Sequence, residues 1–284
     1  MAETLRGVEP GRLERSCVSH CDRIRFGAGA PGLERAEITL ATCAYEPHRH
    51  DSYALGVTLA GVQVFRYRGV RRVALPGQLH VLHPDELHDG APGTDAGLRY
   101  RIFYLAPELI RDALDRGGLP FVADPVQAIG EATRPIVALL RDLEEPIADL
   151  ARSEAAAAVA DSLRALSGEA DNRGGAIDLA AVGLARDYLA AHACEQTPAA
   201  TLEQVTGSDR FTLARHFRRA FGTSPDRYRM LRRLALARRA IERGEPLVRV
   251  AARTGFADQS HLARQFKRAY GITPARWAAL TTPG

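Results

Sequence analysis

Ser208 to Tyr228 reads SDRFTLARHFRRAFGTSPDRY, and Ala257 to Trp277 reads ADQSHLARQFKRAYGITPARW, so one segment is written twice, 49 positions apart. Identity falls at Asp209/Asp258, Leu213/Leu262, Ala214/Ala263, Arg215/Arg264, Phe217/Phe266, Arg219/Arg268, Ala220/Ala269, Gly222/Gly271, Pro225/Pro274 and Arg227/Arg276. Start and stop signals frame both copies. Ser208 is a candidate cap for the first helix, which should end at Gly222, while Ser224-Pro225 and Thr273-Pro274 each place a capping hydroxyl before a proline suited to a first helical turn. At 100° per residue, Leu213, Phe217 and Ala220 share the face that must pack inward, and Leu262, Phe266 and Ala269 repeat it.

The other face carries the chemistry. Phe211, Thr212, Arg215, Arg218 and Arg219 lie there in the first copy, and Ser260, His261, Arg264, Lys267 and Arg268 in the second. A phenylalanine among arginines is costly as plain surface. In a major groove it can touch thymine methyls, while Arg215 or Arg264 offers two donors to guanine O6 and N7. A short helix precedes each copy, Leu202 to Thr206 and Val248 to Thr254, closed at Gly207 and Gly255, which is the helix-turn-helix layout. Pro225 to Arg243 can run as one connecting helix of about 28 Å at 1.5 Å per residue. That would hold the two reading helices about one DNA turn apart, near 34 Å, on one face of double-stranded DNA. The competing interpretation is an all-helical protein-interaction scaffold with a basic surface; Arg232, Arg233, Arg238 and Arg239 on the connecting helix read as solvated charges.

Charge supports the duplex. From Ala176 to Gly284 there are 18 Lys and Arg against 9 Asp and Glu, whereas the first 175 residues hold 20 against 25. Only the C-terminal part has the electrostatic footprint of a polyanion binder. No run approaches 18 apolar residues and the N-terminus lacks a secretory layout, so a cytoplasmic protein with no membrane partner is expected. Cys17 and Cys21 with His20 between them and Cys43 nearby could begin a zinc site, with free thiols as the alternative.

A length of 284 residues suggests two domains. Residues 1–167 form the first in this reading. Its centre, about 35–105, alternates apolar and polar residues between Gly and Pro punctuation and predicts an all-β sandwich or small barrel. Residues of about 125–167 repeat apolar positions every three or four and predict two amphipathic helices, packed on the sheet, on a second subunit in a homodimer, or both. Residues 168–176, polar and glycine-rich, read as a linker, and 177–284 as an all-α domain.

These residues resemble the DNA-binding domain of AraC/XylS family bacterial transcription regulators, over about Ile177 to Leu280 and above all at Gly255-Phe-Ala-Asp-Gln-Ser-His-Leu-Ala-Arg264 and Gly271-Ile-Thr-Pro274. The resemblance implies that Phe211, Ala214, Arg215, Ser260, His261 and Arg264 occupy base- or backbone-contacting positions; the helical wheel does not select Ala214. Pro47-His-Arg-His50 followed by Gly61 and then Pro76 to His88 resembles the cupin-type sensor domain joined to this module. In such a barrel His48, His50 and His88 would share a cavity, as direct contacts to a small-molecule effector, as ligands of a divalent metal, or as structural histidines. Tyr53, Tyr67, Tyr100 and Tyr104 are further candidates, with Tyr53 and Tyr104 preferred. Enzymatic cupins add a glutamate where this chain has Tyr53 to Leu55. The expectation is therefore a non-enzymatic, effector-controlled, homodimeric activator without a cofactor, acting on DNA and RNA polymerase. The alternative is a metal-dependent cupin enzyme with a helical appendage.

Overall fold

The structure is a computed structural model and describes residues 22–41, 43–114, 118–168 and 176–281. Cys17, His20, Cys21 and most of the expected 168–176 linker lie outside them. Among the described residues the N-terminal half holds ten strands in two antiparallel sheets. Six strands, β1 (Arg23–Phe26), β2 (Leu33–Leu40), β9 (Leu98–Leu105), β4 (Tyr53–Gly61), β7 (Gln78–Leu82) and β10 (Val126–Ala128), lie side by side in that order. The other sheet runs β3 (Tyr45–His48), β8 (His88–Pro92), β5 (Gln63–Tyr67) and β6 (Val70–Ala74).

The large sheet is covered on both faces. Ile38, Ala54, Leu98, Tyr100 and Ile102 point to one interior, shared with Phe65 and Tyr67 of the small sheet. Leu33, Tyr53, Leu55, Val57, Phe103 and Leu105 point the other way. Against them pack α1 (Pro107–Ala113), α2 (Arg134–Ala138) and α3 (Asp149–Ser167) through Ile110, Ile136, Val159 and Leu163. Double burial explains why β4 is almost continuously apolar, since a strand with no wet face needs no polar alternation.

Strands thus begin before the expected 35–105 window and return after it at Val126–Ala128, where β10 pairs with β7. The span read as the first amphipathic helix contributes only the five residues of α2. Its apolar spacing is met by α2 and the turns flanking it, whose Ile136, Leu140 and Leu143 are buried. The second expected helix is present as α3.

Everything described beyond residue 176 is helical: α4 (Leu179–Ala191), α5 (Ala199–Thr206), α6 (Arg210–Phe221), α7 (Pro225–Glu242), α8 (Leu247–Arg253), α9 (Gln259–Tyr270) and α10 (Pro274–Thr281). Two cores result. Val182, Leu189, Leu202, Leu213, Phe217 and Tyr228 close the first helix-turn-helix unit. Leu234, Phe256, Leu262, Phe266 and Trp277 close the second, and this cluster is continuous with the interior between the sheets. One helix-turn-helix unit therefore shares its hydrophobic core with the β domain.

Candidate DNA-reading helices and effector cavity

Asp209, rather than Ser208, caps α6, its carboxylate accepting from the Phe211 and Thr212 N–H groups; Asp258 caps α9 by accepting from His261 N–H at 2.7 Å. Both helices end at a glycine in the left-handed region, Gly222 at φ 74° and Gly271 at φ 73°. The inward residues of both copies are buried as expected. Phe211 stands 80% exposed beside the exposed Arg215 and Arg218, and Ser260 and Arg264 are exposed at the equivalent places. Thr212, Ala214, Arg219 and His261 are half-buried. Lys267 turns to Glu46 of β3 at 2.8 Å, and the Arg268 carbonyl accepts from Arg49 N–H at 3.2 Å. The last turn of α9 is thus held on the β domain while its N-terminal half faces outward.

Between the sheets and the helices lies a cavity of about 600 Å³. The β domain supplies apolar walls such as Ile24, Ile38 and Ile102, with Tyr100 and Tyr104 and the imidazoles of His48, His50, His80 and His88. The helical domain supplies Arg232, Arg238, Arg239, Tyr270 and Trp277. His48, His50, His88 and Tyr104 therefore meet as expected. Tyr53 does not join them: strand alternation sends Ala54 to the cavity and Tyr53 to the opposite face, where its hydroxyl donates to the Pro120 carbonyl at 2.8 Å. Tyr67 also stays outside, bonded to His83 Nδ1 at 2.6 Å.

The imidazoles are packed closely. Ring centroids of His48 and His88 are 4.2 Å apart, and those of His50 and His88 4.7 Å. Burial lowers all of them: His48 to about 3, with the neighbouring His50 adding to the effect, His50 to about 4, and His88 well below its ordinary value. His80, 1% exposed, is lowered to about 4 by burial alone. Its ring lies across Gly56, its partner in the β4·β7 register, where any Cβ would strike the imidazole. Among the described residues no group of three or more metal-ligating side chains is placed to hold a metal ion.

Acids of the β domain hold basic residues of the helices across the interface. Asp51 pairs with Arg232, Glu34 with Arg238, Asp22 with Arg276 at 2.7 Å and Asp85 with Arg227 at 3.7 Å. Burial pushes the Asp51 carboxyl up, but the Arg232 guanidinium overrides it and holds the group below its ordinary value. Arg233 instead donates to the carbonyls of Thr254 and Gly255, fixing the turn of the second unit. The connecting-helix arginines read as solvated are thus structural at three positions; Arg239 is exposed, as read, while also lining the cavity with no acid paired to it among the described residues. The roles of Arg232 and Arg238 were hidden because their pairing partners lie about 180 or more residues away in the chain. His80 was missed as well. It stood in the motif on the same strand as ordinary core residues, and only the register opposite Gly56 marks it out.

Both cap glycines touch the β domain. A Cβ on Gly222 would lie 2.9 Å from Pro84 Cβ, and one on Gly271 would lie 2.7 Å from His48 Nδ1. The Gly271 carbonyl accepts from Glu46 N–H at 3.0 Å. Strand β3 therefore bears a cavity histidine at His48 and the end of a reading helix at Glu46.

Residues 30–166 match the family described as AraC-like ligand binding domain, and residues 202–279 match a helix-turn-helix domain family. An uncharacterized HTH-type transcriptional regulator, YbfI of Bacillus subtilis (strain 168), is 25% identical over 219 residues, covering 75% of this chain and 80% of its own. Among solved structures, ToxT from Vibrio cholerae O395 superposes with a TM-score of 0.63 at 11% identity, covering 90% of this chain and 100% of that one. Unsaturated fatty acid-bound ToxT from Vibrio cholerae strain SCE256 gives 0.62 at 12% identity, covering 89% and 96%. Among the described residues no helix is long and apolar enough to cross a membrane.

Proposed function

The chain belongs to the AraC family of transcription regulators, a ligand-binding domain followed by a DNA-binding helix-turn-helix domain, and from that membership we propose that its effector is an organic acid lodged in the cavity between the two domains. The observation that carries this reading is the cavity wall itself, built from both domains. A ligand there touches the sensor and the reader at once, so it can have different affinities for two arrangements of them, the condition for any switch. Two of the ToxT structures carry acids, an unsaturated fatty acid in one and a substituted but-3-enoic acid in the other. Here the exposed Arg239 offers a guanidinium without an acid partner among the described residues, beside apolar walls, the chemistry an amphipathic carboxylate requires.

In this reading α6 presents Phe211, Thr212, Ala214, Arg215, Arg218 and Arg219 to one segment of major groove. Helix α9 presents Ser260, His261, Arg264, Lys267 and Arg268 to the next. Lys267 is engaged by Glu46 in the present arrangement, so its release from β3 accompanies full engagement of DNA. His48, His50, His88 and Tyr104 face the effector; Tyr53 has no part in that set. Residues 1–167 act as sensor, 168–176 as connector and 177–284 as reader. Pairing of two chains through the sensor helices would multiply the affinity of each reader by effective concentration. A bound dimer in the cytoplasm would then act on RNA polymerase as an activator. No catalytic role and no cofactor enter this reading.

The test is a footprint on DNA from upstream of the chain's own gene, with oleate as the acid probe. Oleate should change occupancy several-fold in wild type, and Arg239→Ala should abolish that response while leaving basal binding intact. An unchanged oleate response in Arg239→Ala removes the proposed carboxylate contact.

A further inference from the structure

We infer that the imidazole wall of this cavity reads neutral hydroxyl groups, so that the effector carries O–H donors, phenolic or alcoholic, at the end buried in the β domain. This rests on the effector reading above and narrows its chemistry. His48 Nδ1 lies 2.8 Å from the Glu46 carbonyl, His50 Nδ1 2.8 Å from the Ser52 carbonyl, and His88 Nδ1 2.9 Å from the Glu86 carbonyl. A carbonyl oxygen only accepts, so each Nδ1 must carry the proton. Burial holds all three rings neutral at physiological pH. Each Nε2 is then a bare lone pair on a ring that lines the cavity.

Among the described residues nothing satisfies those lone pairs. His50 Nε2 is buried without a hydrogen-bond partner, and so are both ring nitrogens of His80. Neither His48 nor His88 makes a second hydrogen bond among the described residues. His83, on the same strand-to-turn segment, shows the alternative: its Nδ1 bonds the Tyr67 hydroxyl and its Nε2 accepts from Val122 N–H at 2.9 Å. The fold can satisfy a buried histidine where its role is structural, and leaves open those that face the cavity. Buried polar groups without partners are uncommon and point to a missing one.

Three acceptors side by side repel a carboxylate. They call for donors without a negative charge. A metal ion would also take bare Nε2 atoms, but the ligating groups are not placed to hold one. An ammonium would have to leave water for a cavity whose acids are already engaged, Asp51 with Arg232, Glu34 with Arg238 and Asp89 with Arg66 N–H, and to which Arg239 adds a further positive charge. A hydroxyl needs no charge compensation, and a vicinal pair of hydroxyls spans two neighbouring rings. The imidazoles lie in the β domain and the arginines in the helical domain, so hydroxyls and carboxylate belong at opposite ends of the ligand.

The test uses the full chain, labelled with 15N-histidine, and two acids that differ only in their hydroxyls: 3-(3,4-dihydroxyphenyl)propanoate and 3-phenylpropanoate. Two-bond 1H–15N spectra of the free protein should show protonated Nδ1 and bare Nε2 at His48, His50 and His88; protonated Nε2 at these residues overturns the inference before any ligand is added. By calorimetry the dihydroxy acid should bind roughly tenfold or more tightly than its deoxy partner, because a site with buried acceptors penalises an analogue that leaves them unpaired. It should also shift the Nε2 resonances saturably. His80→Gln and His88→Asn should erase the discrimination, bringing the dihydroxy acid down to the affinity of its deoxy partner. Equal affinities overturn this inference and leave the acid-binding reading standing, whereas no saturable binding by either acid overturns both. Tight binding of Zn2+ at the Nε2 atoms, or preference for 3-phenylpropylamine, assigns the wall to another chemistry and also refutes it.

Discussion

Five histidines, His48, His50, His80, His83 and His88, are buried in the β domain with proton affinities far below an exposed imidazole. In the unfolded chain each would titrate near 6.5. Above that pH both states are neutral and the histidines impose no penalty. As pH falls below about 6.5 the unfolded state gains protons that the folded state refuses until about pH 4 to 3, so stability is lost across that window. The loss is about 1.4 kcal/mol per pH unit for each histidine. Urea midpoints measured from pH 7.5 to 5 should fall steeply below 6.5, and a flat profile would show that the rings are not held neutral. On the proposed reading helices Arg215 and Arg264, both exposed, are the residues we propose to meet a base edge. Replacing either by Ala should cost about 1–3 kcal/mol of specific DNA binding and relax preference at one base pair. Gel shifts against a randomised site library measure both; unchanged affinity and preference would mean that other faces touch the duplex. The wheel located these residues because a 3.6-residue period separates inside from outside. It could not assign Tyr53, since the β4 sequence is apolar on both faces and alternation alone does not say which face meets the cavity.

Strand β3 is one of the elements on which the β domain and the helices meet. Gly271 combines a left-handed backbone with close approach to His48, so Gly271→Ala adds a Cβ that both strains the backbone and pushes on a cavity wall. Gly244, at φ 77°, has equal strain but open space around it. Each change should lower stability by about 1 kcal/mol through the backbone term. Only Gly271→Ala should also weaken the dependence of DNA binding on effector, because only it disturbs the contact between β3 and α9. Footprints of the two variants with and without oleate check this, and identical behaviour would show that β3 transmits nothing. The glycines themselves were legible as helix stops. Their second role was not, because nothing local indicates that Pro84 and His48 come to rest against them.

Across the domain interface the acidic β domain and basic helices pair residue by residue, and the Asp51–Arg232 pair is the one most withdrawn from water with its partner on the connecting helix. Asp51→Asn leaves Arg232 without its counter-charge. The interdomain packing should weaken by about 2 kcal/mol, below the value for a fully buried pair because Arg232 keeps some solvent contact. An increased radius of gyration in small-angle scattering, together with DNA binding that no longer needs effector, is the expected outcome. Unchanged scattering and unchanged effector dependence would place the latch elsewhere. The opposite net charges of the two halves were visible as totals, and they pointed to DNA. That the same arginines also hold the sensor is a matter of which surfaces meet.

Local sequence was enough to establish the duplicated unit, its glycine stops, the caps at Ser224 and Thr273, its inward and outward faces and the strand-rich character of the first half, though not the Asp209 and Asp258 caps. These depend on contacts a few residues apart, which the order of amino acids specifies directly. The closure of one cavity by both domains, the exclusion of Tyr53, the open lone pairs of His80 and its neighbours and the clasp of β3 on Gly271 came only with the packed chain. They depend on register and on pairings across most of its length, and no short-range pattern encodes which distant surface a side chain will face.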